Sequence, residues 1–83
     1  LADFTSVAAA GATVADIISA GIIPAGMEMM DNLSINAVED VVATQCYPRD
    51  AEAILLVEVD GLEVEAETNT QRVRQICLQN GAR

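Results

Sequence analysis

The chain has 83 residues, 52% of them hydrophobic, and Phe4 and Tyr47 are its only aromatic residues. This length holds one domain at most, and the core must be built mainly from aliphatic side chains. Thirteen acidic residues against four arginines give a formal charge of −9, with no lysine and no histidine. Such a surface repels the phosphates of nucleic acids and of anionic membranes, so neither is an expected partner.

Residues 1–4 predict the end of a strand, and Thr5 or Ser6 then offers an N-cap for a first helix. Gly21 provides the stop signal for this helix. Gly11 costs about 1 kcal/mol relative to alanine inside a helix, and we expect close approach of the helix to a sheet as compensation. The apolar stripe of this helix consists of Val7, Ala10, Val14, Ile17 and Ile18.

A second strand is predicted at residues 26–30, and Pro24 before it indicates an edge strand or a late start. Asp31 is well placed as the N-cap of a second helix, which we expect to end near Gln45 or Cys46. The apolar stripe predicted for this helix consists of Leu33, Ala37, Val38, Val41 and Val42.

Residues 53–59 form the clearest strand, because they are apolar on both faces until Glu58, which predicts an interior position. Ala53, Leu55, Val57 and Val59 should face the helices, and Ile54, Leu56, Glu58 and Asp60 lie on the opposite face. A third helix is predicted from about Leu62 to Asn80, with Gly81 as its C-cap. Its buried stripe consists of Ala66, Thr70, Val73, Ile76 and Cys77.

The order strand, helix, strand, helix, strand, helix predicts an α+β fold. We expect a ferredoxin-like partial antiparallel sheet with the helices packed on one face. The first strand looks clipped, and a strand is expected after Gly81. Residues 1–83 are therefore interpreted as a single fragment of a larger domain, incomplete at both ends.

Glu28 and Glu58 are the sharpest polar feature, since each interrupts an otherwise apolar strand. If the two strands pair antiparallel, the carboxylates could meet on one face, where such a pair does acid–base chemistry or holds a metal. The favoured interpretation is that both are solvated, because a buried unpaired carboxylate is costly. The Glu58 face is then the candidate for docking another domain.

Other chemistry is largely excluded. Without histidine there is no Ser-His-Asp triad and no ordinary zinc site. Cys46 and Cys77 are expected to be buried free thiols of a cytoplasmic protein, and Glu39 with Asp40 a solvated helix face. The apolar stretch 7–23 contains an aspartate and two glycines, so it is interpreted as core and not as a membrane span. No catalytic, cofactor-binding or metal residue is assigned.

Two long runs carry a resemblance to a known family: GIIPAGMEMMDNLSI at residues 21–35 and YPRDAEAILLVEVDG at residues 47–61. In order and spacing they resemble the C-terminal domain of FAD-linked oxidases. This family includes D-lactate and D-2-hydroxyglutarate dehydrogenases and the flavin-bearing subunits of glycolate oxidases, and the last of these are the members that the two runs resemble.

The resemblance implies that the chain is the first part of a substrate (cap) domain, in an FAD-dependent oxidoreductase acting on glycolate, D-lactate or a similar 2-hydroxy acid. The FAD would be held mainly by another domain of the same polypeptide, so none is expected on this piece. The implied partners are that FAD-binding domain and other subunits of a glycolate oxidase complex. The family's metal and substrate motif contains histidine, so no catalytic role carries over to this chain.

A different class of function stays open. The chain could be a stand-alone ferredoxin-like module that binds a ligand or dimerises. This alternative requires a complete four-stranded sheet within 83 residues, and a free sheet edge would allow a homodimer.

Overall fold

The computed structural model describes residues 1–42 and 47–83. The elements are β1 (Ala2–Phe4), α1 (Val7–Ser19), β2 (Gly26–Asp31), α2 (Asn32–Val41), β3 (Ala53–Glu58) and α3 (Glu63–Gln79). The α+β class and the predicted order of elements are confirmed. α2 ends earlier than predicted, because the backbone leaves the helical region at Val42 (φ −126°, ψ 74°). The predicted end near Gln45 or Cys46 lies outside the described residues.

The three strands form one antiparallel sheet in the order β1-β3-β2. β3 pairs with both neighbours, which confirms the interior position predicted from its two apolar faces. β1 and β2 therefore run in the same direction on either side of β3, and α1 connects them. This is the split β-α-β unit, an arrangement compatible with the predicted ferredoxin-like fold.

The helix ends follow the local signals in the sequence. The Ser6 side chain accepts a hydrogen bond from the Ala9 N–H at 3.0 Å and caps α1. Asp31 caps α2 by accepting from the Ser34 N–H at 2.9 Å. Gly21 and Gly81 follow α1 and α3 with φ of +77° and +87°, a conformation that glycine adopts without strain.

The main core lies between α1, α3 and one face of the sheet. Its buried residues are Phe4, Ala10, Ile17, Ile22, Ala53, Leu55, Val73 and Cys77, and Val57 and Val59 pack against them. The face of β3 predicted to contact the helices is thus confirmed. Thr13 is also fully buried, and its hydroxyl donates to the Ala9 carbonyl at 2.8 Å, so the polar group is satisfied inside the helix.

α2 does not share this face, and the prediction of a single helical face is wrong in that respect. Ile35 of α2 packs with Ile54, Met30 and Ala51 in a second cluster. Met30 lies opposite Ile54 in the β2–β3 register, and both point away from the main core. β2 passes into α2 without a loop, so the helix remains beside this pair and covers it.

Three smaller predictions are also wrong. Gly11 is exposed, and a methyl group at that position would meet nothing within 4 Å, so the helix makes no close approach there. Thr70 is exposed rather than part of the buried stripe of α3, and its hydroxyl donates to the Ala66 carbonyl at 2.7 Å. Ile18 of the predicted α1 stripe is 61% exposed.

Candidate docking face

The strand register defines where Glu28 and Glu58 lie. Glu28 is opposite Leu56, and Glu58 is opposite Gly26, in the antiparallel pairing of β2 with β3. Side chains two residues apart point to the same face of a sheet, so both carboxylates share one face. They occupy diagonal positions, for which the Cα–Cα distance is about 7–8 Å.

Both carboxylates are exposed, and no described residue donates a hydrogen bond to either. The Glu58 side chain lies over Gly26: a methyl group built on that glycine would be 3.4 Å from Glu58 Oε2. Within residues 1–42 and 47–83, no group of three or more His, Cys, Asp or Glu could hold a metal ion. The setting therefore suits two solvated carboxylates better than a catalytic or metal-binding pair.

One end of this sheet face is covered and the other is open. α2 covers the end near Ile54, where Ile35 is fully buried. At the other end Leu56 is half-buried between the exposed Glu28 and Glu58. We call the surface formed by Glu28, Leu56 and Glu58 the open face. It combines an apolar centre with acidic flanks.

A second apolar surface lies on α2, within the apolar stripe predicted from the sequence. Leu33 is 80% exposed and Val41 is 84% exposed, and Ala37 between them is exposed as well. These residues recur every fourth position and lie on the opposite side of the helix from Ile35. The side of α2 that packs within this chain is therefore the side of Ile35 and not the predicted apolar stripe. We call Leu33, Ala37 and Val41 the α2 stripe.

The orientation of α2 is set by polar contacts with the turn that precedes β3. Asn32 Nδ2 donates to the carbonyls of Arg49 at 2.9 Å and Ala51 at 2.7 Å. Asn36 Nδ2 donates to the Arg49 carbonyl at 3.2 Å, and Arg49 forms an ion pair with Asp40 at 3.0 Å. These contacts turn the polar side of α2 toward the turn and leave the α2 stripe facing outward.

Glu39 belongs to the same set of contacts. Its side chain is 5% exposed, and its Oε1 accepts a hydrogen bond from the Tyr47 N–H at 2.9 Å. The prediction of a solvated face is correct for Asp40, which is exposed, and wrong for Glu39. The signal in the sequence was the spacing: Glu39 lies four residues after Ile35 and shares its buried side of the helix.

The Cys77 thiol is buried and unreactive, and Arg72 and Arg83 are engaged in contacts within the chain. Burial raises the pKa of the Cys77 thiol, which keeps it protonated and unreactive near neutral pH. Cys46 lies outside the described residues. Arg83 pairs with Asp50 at 3.1 Å and with Asp3 at 3.4 Å. Arg72 Nη2 donates to the carbonyl of Ala20 at 2.8 Å, at the end of α1.

Comparison with known proteins identifies the family. The family model described as "FAD linked oxidases, C-terminal domain" matches residues 1–83. The chain belongs to this family. It is 56% identical over 82 residues to glycolate oxidase subunit GlcD of Escherichia coli K12, a match covering 99% of this chain and 16% of that protein. It is 38% identical over 82 residues to GlcD of Bacillus subtilis, covering 99% of this chain and 17% of the relative. No solved structure matches.

This membership confirms the resemblance seen in the two sequence runs, and it ties the domain to FAD through the family. The described residues do not themselves fit an FAD site. A flavin dinucleotide carries a pyrophosphate, which proteins bind with a glycine-rich loop at a helix N-terminus or with basic side chains. This chain carries a charge of −9, and Arg49, Arg72 and Arg83 already hold partners within it.

None of the helices in the described ranges is both long enough and apolar enough to cross a membrane.

Proposed function

We propose that this chain is a structural part of the substrate (cap) domain of an FAD-dependent oxidoreductase that acts on a 2-hydroxy acid such as glycolate or D-lactate. The observation that carries the proposal is the family match over residues 1–83, together with relatives named as glycolate oxidase subunits. The chain spans 16–17% of the length of these relatives, so the activity belongs to a larger protein.

In this proposal the chain contributes architecture and not chemistry. Glu28 and Glu58 are exposed and lie on diagonal positions, and Arg49, Arg72 and Arg83 are engaged in internal contacts. The fold instead presents surfaces on the side of the sheet opposite the main core. Flavin binding, substrate binding and proton transfer are assigned to residues outside this chain.

The partner we propose is the FAD-binding domain of the same polypeptide. Two surfaces support this: the open face around Leu56, and the α2 stripe with two side chains at least 80% exposed. Exposed apolar surface of this kind marks docking sites. The open face would turn toward the flavin and substrate, with Glu28 and Glu58 at its border, and the α2 stripe would be covered by neighbouring polypeptide.

The alternative of a stand-alone ferredoxin-like module is less well supported. It requires a complete four-stranded sheet, whereas residues 1–42 and 47–83 form three strands. It also requires a specific ligand site, and the two carboxylates that could have formed one are exposed and without partners in the described part of the chain.

Flavin absorbance tests the proposal. We expect the full-length protein containing this domain to bind FAD and its flavin absorbance to bleach when glycolate or D-lactate is added. Acetate and propionate, which lack the 2-hydroxyl group, are the matched controls and should cause no bleaching. The purified 83-residue chain should carry no stoichiometric flavin.

Two outcomes would overturn parts of the proposal. Stoichiometric FAD on the 83-residue chain alone would contradict the purely structural role. A full-length protein whose bound flavin is not reduced by any 2-hydroxy acid would contradict the proposed substrate class.

A further inference from the structure

Asn80, the C-cap of α3, holds the end of that helix against α1. Its side-chain Nδ2 donates to Asp16 Oδ2 at 3.0 Å and to the Ile76 carbonyl at 2.9 Å. Asp16 belongs to α1 and lies 64 residues earlier in the sequence. Both partners are acceptors, so the position requires a group that donates, and an ionised carboxylate there would have no proton to offer. The contact between the two helices therefore depends on an intact side-chain amide.

The residue that follows makes this amide chemically vulnerable. Asn80 is the only asparagine of the chain that is followed by glycine. Because Gly81 has no side chain to shield it, its backbone nitrogen can attack the side-chain carbonyl carbon of Asn80. A C–N bond to Gly81 forms, the C–N bond of the side-chain amide breaks, and the proton of the attacking nitrogen leaves with the amide as ammonia. Water then opens the cyclic succinimide and leaves aspartate or isoaspartate.

The folded structure holds this reaction back. The Gly81 N–H donates to the Leu78 carbonyl at 3.1 Å, in a turn where the φ of Gly81 is +87°. Asn80 is half-buried, and its amide is held by the two bonds to Asp16 and Ile76. These bonds must break before the nitrogen can reach the side chain. Attack therefore requires the last turn of α3 to open, and helix ends are among the parts of a fold that open at low cost.

The same neighbours oppose closure once the amide is lost. A carboxylate at position 80 would face the carboxylate of Asp16 and the carbonyl of Ile76, which are two acceptors without a donor between them. Ile17 and Cys77, the next residues along each helix, belong to the main core. Repulsion at this point therefore acts directly beside the packing of α1 against α3.

We propose that Asn80 is a deamidation site which reacts only when the end of α3 opens, and that Asp16 makes the converted helix end unable to close as before. An opening event is then recorded as a lasting loosening of α3 from α1. The proposal rests on the Asn80–Asp16 contact and the Asn-Gly pair. It is independent of the flavin and of the substrate proposed above.

Peptide mass spectrometry of the full-length protein tests the site. Cleavage by trypsin after Arg74 and Arg83 releases residues 75–83, in which Asn80 is the only asparagine. Replacement of its NH2 group by OH is followed over days at mildly alkaline pH, in native buffer and in guanidinium chloride. We expect conversion to be about tenfold or more faster in the denaturant, because opening is then no longer required. Asn69, which precedes a threonine, is the internal control and should stay intact in both conditions.

Three variants of the full-length protein test the consequence. Asn80→Asp has the sequence of one product, and Asn69→Asp adds the same charge to α3 at a side chain whose oxygen already accepts from Arg72 Nη1 at 3.4 Å. The double variant Asp16→Asn/Asn80→Asp exchanges donor and acceptor. The readout is exchange of the Ala82 amide, which donates to the Cys77 carbonyl at 3.0 Å.

We expect this exchange to be about fivefold or more faster in Asn80→Asp, unchanged in Asn69→Asp, and largely restored in the double variant. Equal conversion of Asn80 in native buffer and in denaturant, or none in either, would overturn the conditional site. Ala82 exchange that is unchanged in Asn80→Asp, or equally fast in the double variant, would overturn the role of Asp16. If Asn80→Asp does not fold, recovery of folding by the added Asp16→Asn supports that role, and no recovery contradicts it.

Discussion

The structural role of a polar residue in this chain depends on its position as well as on its residue type. Glu39 and Asp40 are adjacent acids on one helix, yet Glu39 is buried and Asp40 is exposed. The difference follows from helix periodicity, because neighbouring residues point about 100° apart and Glu39 falls on the side of Ile35. Its partner, the Tyr47 N–H, lies eight residues later in the sequence, and no local pattern predicts that contact.

Replacing Glu39 tests this buried hydrogen bond. Glu39→Ala leaves the Tyr47 N–H without its acceptor, and we expect the free energy of unfolding to fall by about 1–3 kcal/mol. Glu39→Gln keeps an acceptor oxygen and should cost much less. Glu67→Ala, at an exposed acid on α3, is the control and should change stability by about 0.5 kcal/mol or less. Urea unfolding measures all three, and equal effects of the two alanine variants would contradict the assignment.

Acidification should weaken the fold through two aspartates. The Ser34 N–H holds the pKa of Asp31 below its usual value of 3.8, and the Arg83 guanidinium does the same for the pKa of Asp50. A depressed folded-state pKa means that the native state favours the charged form, so this stability is present above pH 3.8 and is lost as pH falls through the lowered pKa.

The variant Asp31→Asn isolates the cap. Asparagine is as good an N-cap as aspartate, so the variant should fold normally at neutral pH, but its melting temperature should fall less steeply on acidification than that of the natural chain. Asp60→Asn, at an exposed aspartate after β3, is the control and should leave the steepness unchanged. Thermal melts from neutral pH to below 3.8 make the comparison. Parallel curves for all three proteins would rule out the cap as a source of acid sensitivity.

At the scale of elements, the sequence predicted the features that depend on interactions between residues close together in the chain. The caps at Ser6 and Asp31 and the two-faced strand β3 follow from side chains acting on their own neighbourhood. The orientation of α2 does not. It depends on Asn32 and Asn36 bonding to a turn more than a dozen residues later, and these tertiary contacts outweigh the preference of an apolar stripe for burial.

Part of the open face could be anticipated from the sequence. Alternation along β2 and β3 was enough to predict that Glu28 and Glu58 could share a face, because strand periodicity is two and the pairing is antiparallel. It could not predict that α2 would cover the Ile54 end of that face. The position of α2 follows from the direct passage of β2 into the helix at Asn32, which only the three-dimensional arrangement reveals.

At the scale of the whole molecule, the chain has two apolar clusters on opposite sides of one sheet and still leaves apolar helix surface uncovered. Leu33 and Val41 are as exposed as charged surface residues, which a self-contained small domain has little reason to maintain. The Escherichia coli relative is about six times as long as this chain, so it has enough additional polypeptide to cover such side chains. Substitutions in the α2 stripe can therefore test whether it docks against another part of the longer protein.

The double variant Leu33→Gln/Val41→Gln tests whether neighbouring polypeptide covers the α2 stripe. Neither substitution changes the charge or greatly changes the helix propensity. In the 83-residue chain both side chains are exposed, so we expect a change in unfolding free energy of about 0.5 kcal/mol or less. In the full-length protein, where the proposal buries them, each should cost about 1.5–3 kcal/mol. Val64→Gln, 76% exposed on α3, is the matched control. A large loss in the short chain would show that the stripe packs within this domain, and no loss in the full-length protein would show that nothing covers it.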